Sequence, residues 1–253
     1  MKKVFLLGLF LIFINSFVFS LSLKSSIIQD LFQIKITMDL SEWEINQIGI
    51  FLTYIGFVYA IIIGFSVSFV FSLYHNILKS FMQETTSLKH IYNLSFYFNN
   101  EKVRKIVREK IKKYVTSVIK NWNTEKGRKG SFKEVFELTK FFKVKTLKDA
   151  ILLKSITEEL TTASNAREDR IVLTEKYIPP LQWIIIIFLT FSLLLGFFLY
   201  FPSEKLISIV LINLLSITFS ILIFIIYDLD HPFTGIWAHS PKYFESVLEE
   251  LES

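Results

Sequence analysis

Residues 51–71 carry no charged side chain, and two further stretches, 181–201 and 206–227, are almost as uniformly apolar. A bilayer core about 30 Å thick takes roughly 20 helical residues to cross, at about 1.5 Å each. In hydrocarbon the backbone must satisfy its own hydrogen bonds, so continuous apolar runs of this length read as membrane-spanning helices. A fourth run, 4–23, follows Lys2 and Lys3. It fits a first span, and with Ser20 at a small-residue position it fits a signal peptide equally well. The topology after it is the same in both cases. The expected fold class is therefore an all-α integral membrane protein, with three or four transmembrane helices and a long cytoplasmic helical insertion between the second and the third.

Charge sets the orientation. The net charge of +5 conceals blocks of opposite sign: residues 76–180 hold 22 Lys and Arg against 12 Asp and Glu, while the stretch from Asp228 onward holds six acids and one Lys. Cytoplasmic segments are enriched in Lys and Arg, most tellingly near the ends of spans. Lys79, Lys89, Arg170 and Lys176 lie close to those ends, so 76–180 is expected on the cytoplasmic side. The expected order is an N-terminal helix or signal peptide at 1–23, an external loop at 24–47 and a transmembrane helix at 48–75. The cytoplasmic helical region at 76–180 follows, then a transmembrane hairpin at 181–227 turning at Pro202, and an acidic cytoplasmic tail at 228–253. An integral membrane location is expected.

Within the insertion, Val103, Ile106, Val107, Ile111, Tyr114, Val115, Val118 and Trp122 recur mostly at three- and four-residue spacing, which predicts an amphipathic helix over 101–122. Glu109 and Lys113 stand four apart in the favoured order on it. Residues 127–130, Gly-Arg-Lys-Gly, predict a turn. Ser131 and Glu134 have capping-box spacing for the next helix. A third helix is expected over 147–176, stopped by Pro179 and Pro180.

The sequence offers little to catalysis. With no cysteine, thiolate chemistry, disulfides and cysteine-type zinc sites are excluded. His75, His90, His231 and His239 lack the spacing of a helical metal pair, and there is no glycine-rich phosphate loop. Asp228, Asp230 and His231 cluster at the end of the last span; they could hold a cation, but a helix-end contact is the plainer reading, and no metal or other cofactor is assigned. The basic insertion lacks any accompanying nucleic-acid motif, so its lysines read as a solvated face and orientation signal that also attracts anions or anionic headgroups. No enzyme is expected.

Phe57, Ile61 and Phe65 fall at i, i+4 and i+8 in the second span and so share one helix face. Lipid or bundle contact explains such a triple. So would an apolar constriction, if several copies of the helix ringed an axis.

Several pieces resemble one family. They are Gly56-Phe57-Val58-Tyr59-Ala60 with Ile63-Gly64-Phe65, then Glu84, Leu88 and Tyr92, then Tyr114 and Trp122. Further on come Arg167 and Arg170 ahead of Ile178-Pro179-Pro180-Leu181-Gln182-Trp183. The most specific is Asp228-Leu229-Asp230-His231-Pro232-Phe233-Thr234-Gly235. From about residue 48 to 245 the chain resembles the bestrophin-like family of bacterial membrane proteins, distant relatives of bestrophin anion channels. The resemblance implies a homo-oligomer in the bilayer, a pentamer, passing small inorganic ions, anions first. It lays the neck of the pore on Phe57, Ile61 and Phe65. In bestrophins an acidic run that clasps calcium follows a Pro-Phe-Gly element; here Pro232-Phe233-Thr234-Gly235 leads into Ile236-Trp237-Ala238, so calcium activation is not carried over. The rival expectations are a non-conducting scaffold binding a partner through helices 101–122 and 147–176, and, more weakly, a secondary transporter.

Overall fold

The computed structural model describes residues 41–98, 100–122, 132–175, 177–200 and 206–252. The stretch 4–23, the turn at 127–130, Ser131 and the turn at Pro202 lie outside the described residues. All regular structure among the described residues is helical.

The first helix, α1, runs unbroken from Glu42 to Ser95. It opens on a capping box. The Glu44 carboxylate accepts from the Ser41 N–H at 2.8 Å, and Ser41 Oγ accepts from the Glu44 N–H at 3.3 Å. At about 1.5 Å per residue its 54 residues reach about 80 Å, well beyond what one bilayer requires. The expected end near residue 75 is not an end. No Gly or Pro occurs between Gly64 and Ser95 to stop the helix. Ile77, Phe81, Leu88 and Ile91 continue a buried stripe after the apolar run finishes.

The remaining elements are α2 (Glu101–Lys120), the short α3 (Lys133–Phe136) passing into a 3₁₀ turn (Glu137–Phe141), α4 (Leu147–Thr174), α5 (Pro180–Tyr200), α6 (Leu206–Asp230) and α7 (Lys242–Glu252). Asn100 caps α2 by accepting from the N–H groups of Lys102 and Val103, and Thr146 with Asp149 forms a full capping box on α4. Pro180 stands at the first position of α5, where a missing N–H costs nothing. Among the described residues three helices are long and apolar enough to cross a membrane: α1, α5 and α6.

The chain divides into two compact units. One takes the chain up to Phe71 together with Tyr177–Trp237; the other takes Ser72–Lys176 and Ala238–Ser253. In the first unit α1 buries Leu52, Tyr59, Ile63, Ser66 and Val70 against α5 and α6. Contact is close where side chains are small: a Cβ on Gly196 of α5 would stand 2.5 Å from Leu52 Cδ2. Polar links are few and local. Gln182 Nε2 donates to Ser66 Oγ at 2.7 Å, and Thr190 Oγ1 lies 3.2 Å from Tyr59 Oη.

The second unit has a helical core of its own. From α2 it buries Val103, Val107, Ile111, Tyr114, Val115 and Val118, the face the periodicity predicts, with Trp122 just beyond the helix. From α4 it buries Ile156, Leu160, Ala163, Ala166 and Arg170. The acidic C-terminal segment is part of this unit. Helix α7 packs along α2 and buries Phe244, Val247 and Leu251, while its acids meet the basic insertion. Glu250 pairs with Lys89 at 3.1 Å, and Glu252 with Lys112 at 2.7 Å. The expected Glu109–Lys113 pairing is replaced: Lys113 and Lys110 both reach Glu134, which holds that carboxyl at about 2.

Candidate functional site

The apolar triple lies in the first unit. Phe57 and Phe65 are 68% and 72% exposed and Ile61 is 43% exposed, so packing within the chain leaves this face of α1 open. The opposite face is the one filled by α5 and α6. Gly64 lies on the open side: its chain neighbours and its own helix backbone aside, nothing among the described residues comes within 4 Å of where a Cβ would stand, whereas at Gly56 a Cβ would meet Leu193 at 3.9 Å. Ser68 continues the open face one turn beyond Gly64. No titratable side chain occurs between Phe57 and Ser68 other than the buried Tyr59 on the far side. The face therefore cannot do acid–base chemistry. What it offers is apolar bulk, with the Ser68 hydroxyl following it.

The second cluster of motif residues closes the last span of the same unit. Ile178 is buried and precedes two prolines that offer no N–H. Its own N–H is taken by Asp230 Oδ1 at 2.8 Å, which ties the entry of α5 to the end of α6. Pro179 and Pro180 are exposed beside it, and Trp183, one turn on, packs edge-on with Tyr227, their ring centroids 6.2 Å apart. Asp228 has a different duty. Its two carboxylate oxygens each accept from the Ile236 N–H at 3.0 Å, and Oδ2 also accepts from the Trp237 N–H at 3.0 Å.

That wrap is possible because Gly235 has φ +141, and because a Cβ there would lie 2.0 Å from Asp228 Oδ1. Pro232 is buried and Phe233 half-buried in the same turn. His231 Nδ1 lies 2.9 Å from the Tyr227 carbonyl. The two aspartates thus hold backbone in separate directions instead of converging with His231 on one point, and no group of acids and histidines able to hold a metal occurs among the described residues.

In the second unit three residues that the sequence marks singly come together. Glu84 of α1, Tyr114 of α2 and Arg170 of α4 form a buried cluster. Arg170 Nε donates to Glu84 Oε2 at 2.8 Å, and the Tyr114 hydroxyl donates to Glu84 Oε1. Burial alone would lower the Arg170 pKa, but the adjoining Glu84 carboxylate outweighs it and the net direction is upward. Burial and Glu84 together push the Tyr114 phenol well above its usual range. Phe81 and Phe244 flank the guanidinium, with ring centroids 5.6 and 5.7 Å from Cζ. Periodicity alone could not have found this meeting, because the three residues lie on three different helices.

The Bestrophin-like domain family matches residues 39–244. The chain belongs to that family. No curated protein and no solved structure gives a match. The matched region takes in α1 to α6, so the open face of α1, the Asp228–Gly235 turn and the buried Glu84 cluster are all part of the bestrophin-like domain. Membership and the apolar helices place the chain among membrane proteins, and the family is not an enzyme family.

Proposed function

We propose that this bestrophin-like chain is the subunit of a homo-oligomeric ion channel for small anions, a pentamer, with Phe57, Ile61 and Phe65 forming its neck. The observation that carries the reading is the two-sided character of α1. One side is packed by α5 and α6, and the other keeps two phenylalanines and an isoleucine uncovered. Copies ringed about an axis with that side inward would make an apolar constriction, which gates by shedding water. Anion preference follows from the charge of residues 76–180, 22 cations against 12 acids, which raises the local anion concentration. Those residues and the C-terminal helix are assigned to the cytoplasm of a bacterial inner membrane by the bias of Lys and Arg near the span ends. Residues 48–75, 181–201 and 206–227 are assigned to the bilayer.

A scaffold reading draws on amphipathic helices free to bind a partner. The apolar face of α2 is filled within its own unit, by α7 and its neighbours, whereas α4 leaves Leu147, Ile151 and Val172 exposed, so the scaffold reading rests on α4 alone.

The test is reconstitution of the purified chain in a planar bilayer with a KCl gradient. The current is expected to reverse toward the chloride potential. Reversal toward the potassium potential overturns the anion assignment, and a monomer that carries no current overturns the channel.

A further inference from the structure

A cavity of about 510 Å³ opens in the second unit where α2 begins and α7 ends, lined by Tyr92, Phe96, Lys102, Arg104, Lys105 and Arg108 and by two acids, Glu101 and Glu252. We propose that it binds a phosphate group carrying two or more negative charges, borne by a small soluble phosphate compound or by a lipid headgroup. The proposal is independent of ion conduction.

Lys110, Lys112 and Lys113, further along α2, have acidic partners. Lys110 and Lys113 share Glu134, and Lys112 takes Glu252. The four around the cavity differ. Among the described residues neither Lys102, Arg104, Lys105 nor Arg108 forms an ion pair, though they crowd into two turns of one helix. Like charges so placed repel one another unless an anion sits among them. Glu252, already paired with Lys112, also interacts with Arg108, and with Glu101 it offsets only part of the four charges.

Arg104 is fixed before any ligand arrives. Its Cζ lies 4.5 Å from the Phe96 ring centroid, and its buried Nε has no hydrogen-bond partner among the described residues. A guanidinium held by an aromatic ring loses little freedom on binding, and its planar fork suits phosphate oxygens. Arg108 is four residues on and therefore on the same face. The N-terminus of α2 adds its partial positive charge at the same end. The volume falls in the range of small-molecule sites and exceeds what one chloride would fill.

The experiment uses the full chain purified in detergent and titrated calorimetrically with inorganic pyrophosphate, and in parallel by co-sedimentation with phosphatidylcholine vesicles containing phosphatidylinositol phosphate. Saturable binding in either arm, one per chain, is expected; the arm that binds names the source. Arg104→Gln with Arg108→Gln should weaken it at least tenfold, and Lys105→Glu, at an exposed and unpaired position, should do so with the fold untouched. Lys143→Gln with Lys148→Gln removes the same charge elsewhere on the unit and should leave affinity within twofold. Equal loss in that control overturns the site in favour of diffuse charge attraction, and absence of saturable binding in both arms overturns it outright.

Discussion

Arg170 and Glu84, 86 positions apart in the chain, form an ion pair in which both side chains are wholly inaccessible, with Nε and Oε2 2.8 Å apart. Desolvating two charges is expensive, and the geometry must return that cost through the pair itself and its hydrogen bonds. Removing one partner leaves the other buried and uncompensated. Glu84→Met or Arg170→Met should therefore destabilise the chain by about 3–5 kcal/mol. The double replacement Glu84→Met with Arg170→Met should cost far less than the two single losses added together. Denaturant melts of the four proteins in detergent supply the cycle, and strict additivity would contradict a coupled buried pair.

His239 gives the second unit a pH dependence. Its ring stacks on Tyr74 with centroids 4.2 Å apart, and burial, aided by nearby His75, pushes its pKa from 6.5 to about 4. The folded chain thus keeps the imidazole neutral where the unfolded chain would protonate it. The contribution to stability is complete above about pH 6.5, declines as the pH falls toward 4 and is level below that. The difference in melting temperature between the wild type and His239→Phe should change across this window and stay constant on either side. A constant difference throughout would mean that His239 titrates alike in both states.

Gly235 should tolerate no side chain. Its φ of +141 is a conformation that side chains disfavour, and the space a Cβ needs is taken by the Asp228 carboxylate. Gly235→Ala is expected to cost about 1–3 kcal/mol from backbone strain, with the loss of the Asp228 bonds to Ile236 and Trp237 in addition. Thermal unfolding measures the loss. Limited proteolysis should show earlier cutting near residues 233–238.

The helices α5 and α6 match the apolar runs to within three residues, because hydrocarbon admits no irregular backbone and the end of the apolar run marks the end of the span. The same logic fails for α1. Its apolar run ends near Tyr74, but helix formation continues on a different driving force, the burial of Ile77, Phe81, Leu88 and Ile91 in the second unit. The C-terminal segment read as an acidic tail because charge dominated its composition. Phe244, Val247 and Leu251 nevertheless lie at helical spacing, and they mark α7 as a docking helix.

The opposite charges of the insertion and the C-terminus, read from the sequence as separate blocks, meet in part as Lys89–Glu250 and Lys112–Glu252. The shared face of Phe57, Ile61 and Phe65 was legible from spacing alone; which side of α1 stays uncovered was not, since that depends on where Leu52, Tyr59 and Ser66 find α5. Glu84, Tyr114 and Arg170 could be singled out one at a time, but their meeting depends on contacts between helices remote in sequence.

The chain has no cysteine, so a single introduced thiol can report on the face at the centre of the channel proposal. Ile61→Cys protein, reconstituted and conducting, should lose most of its current when a charged, membrane-impermeant methanethiosulfonate is added, while the wild type is unaffected. Such a block is what a pore-lining Ile61 predicts. If the current is untouched and the thiol reacts only with a lipid-soluble maleimide, the Phe57–Ile61–Phe65 face looks toward lipid and the neck assignment is contradicted.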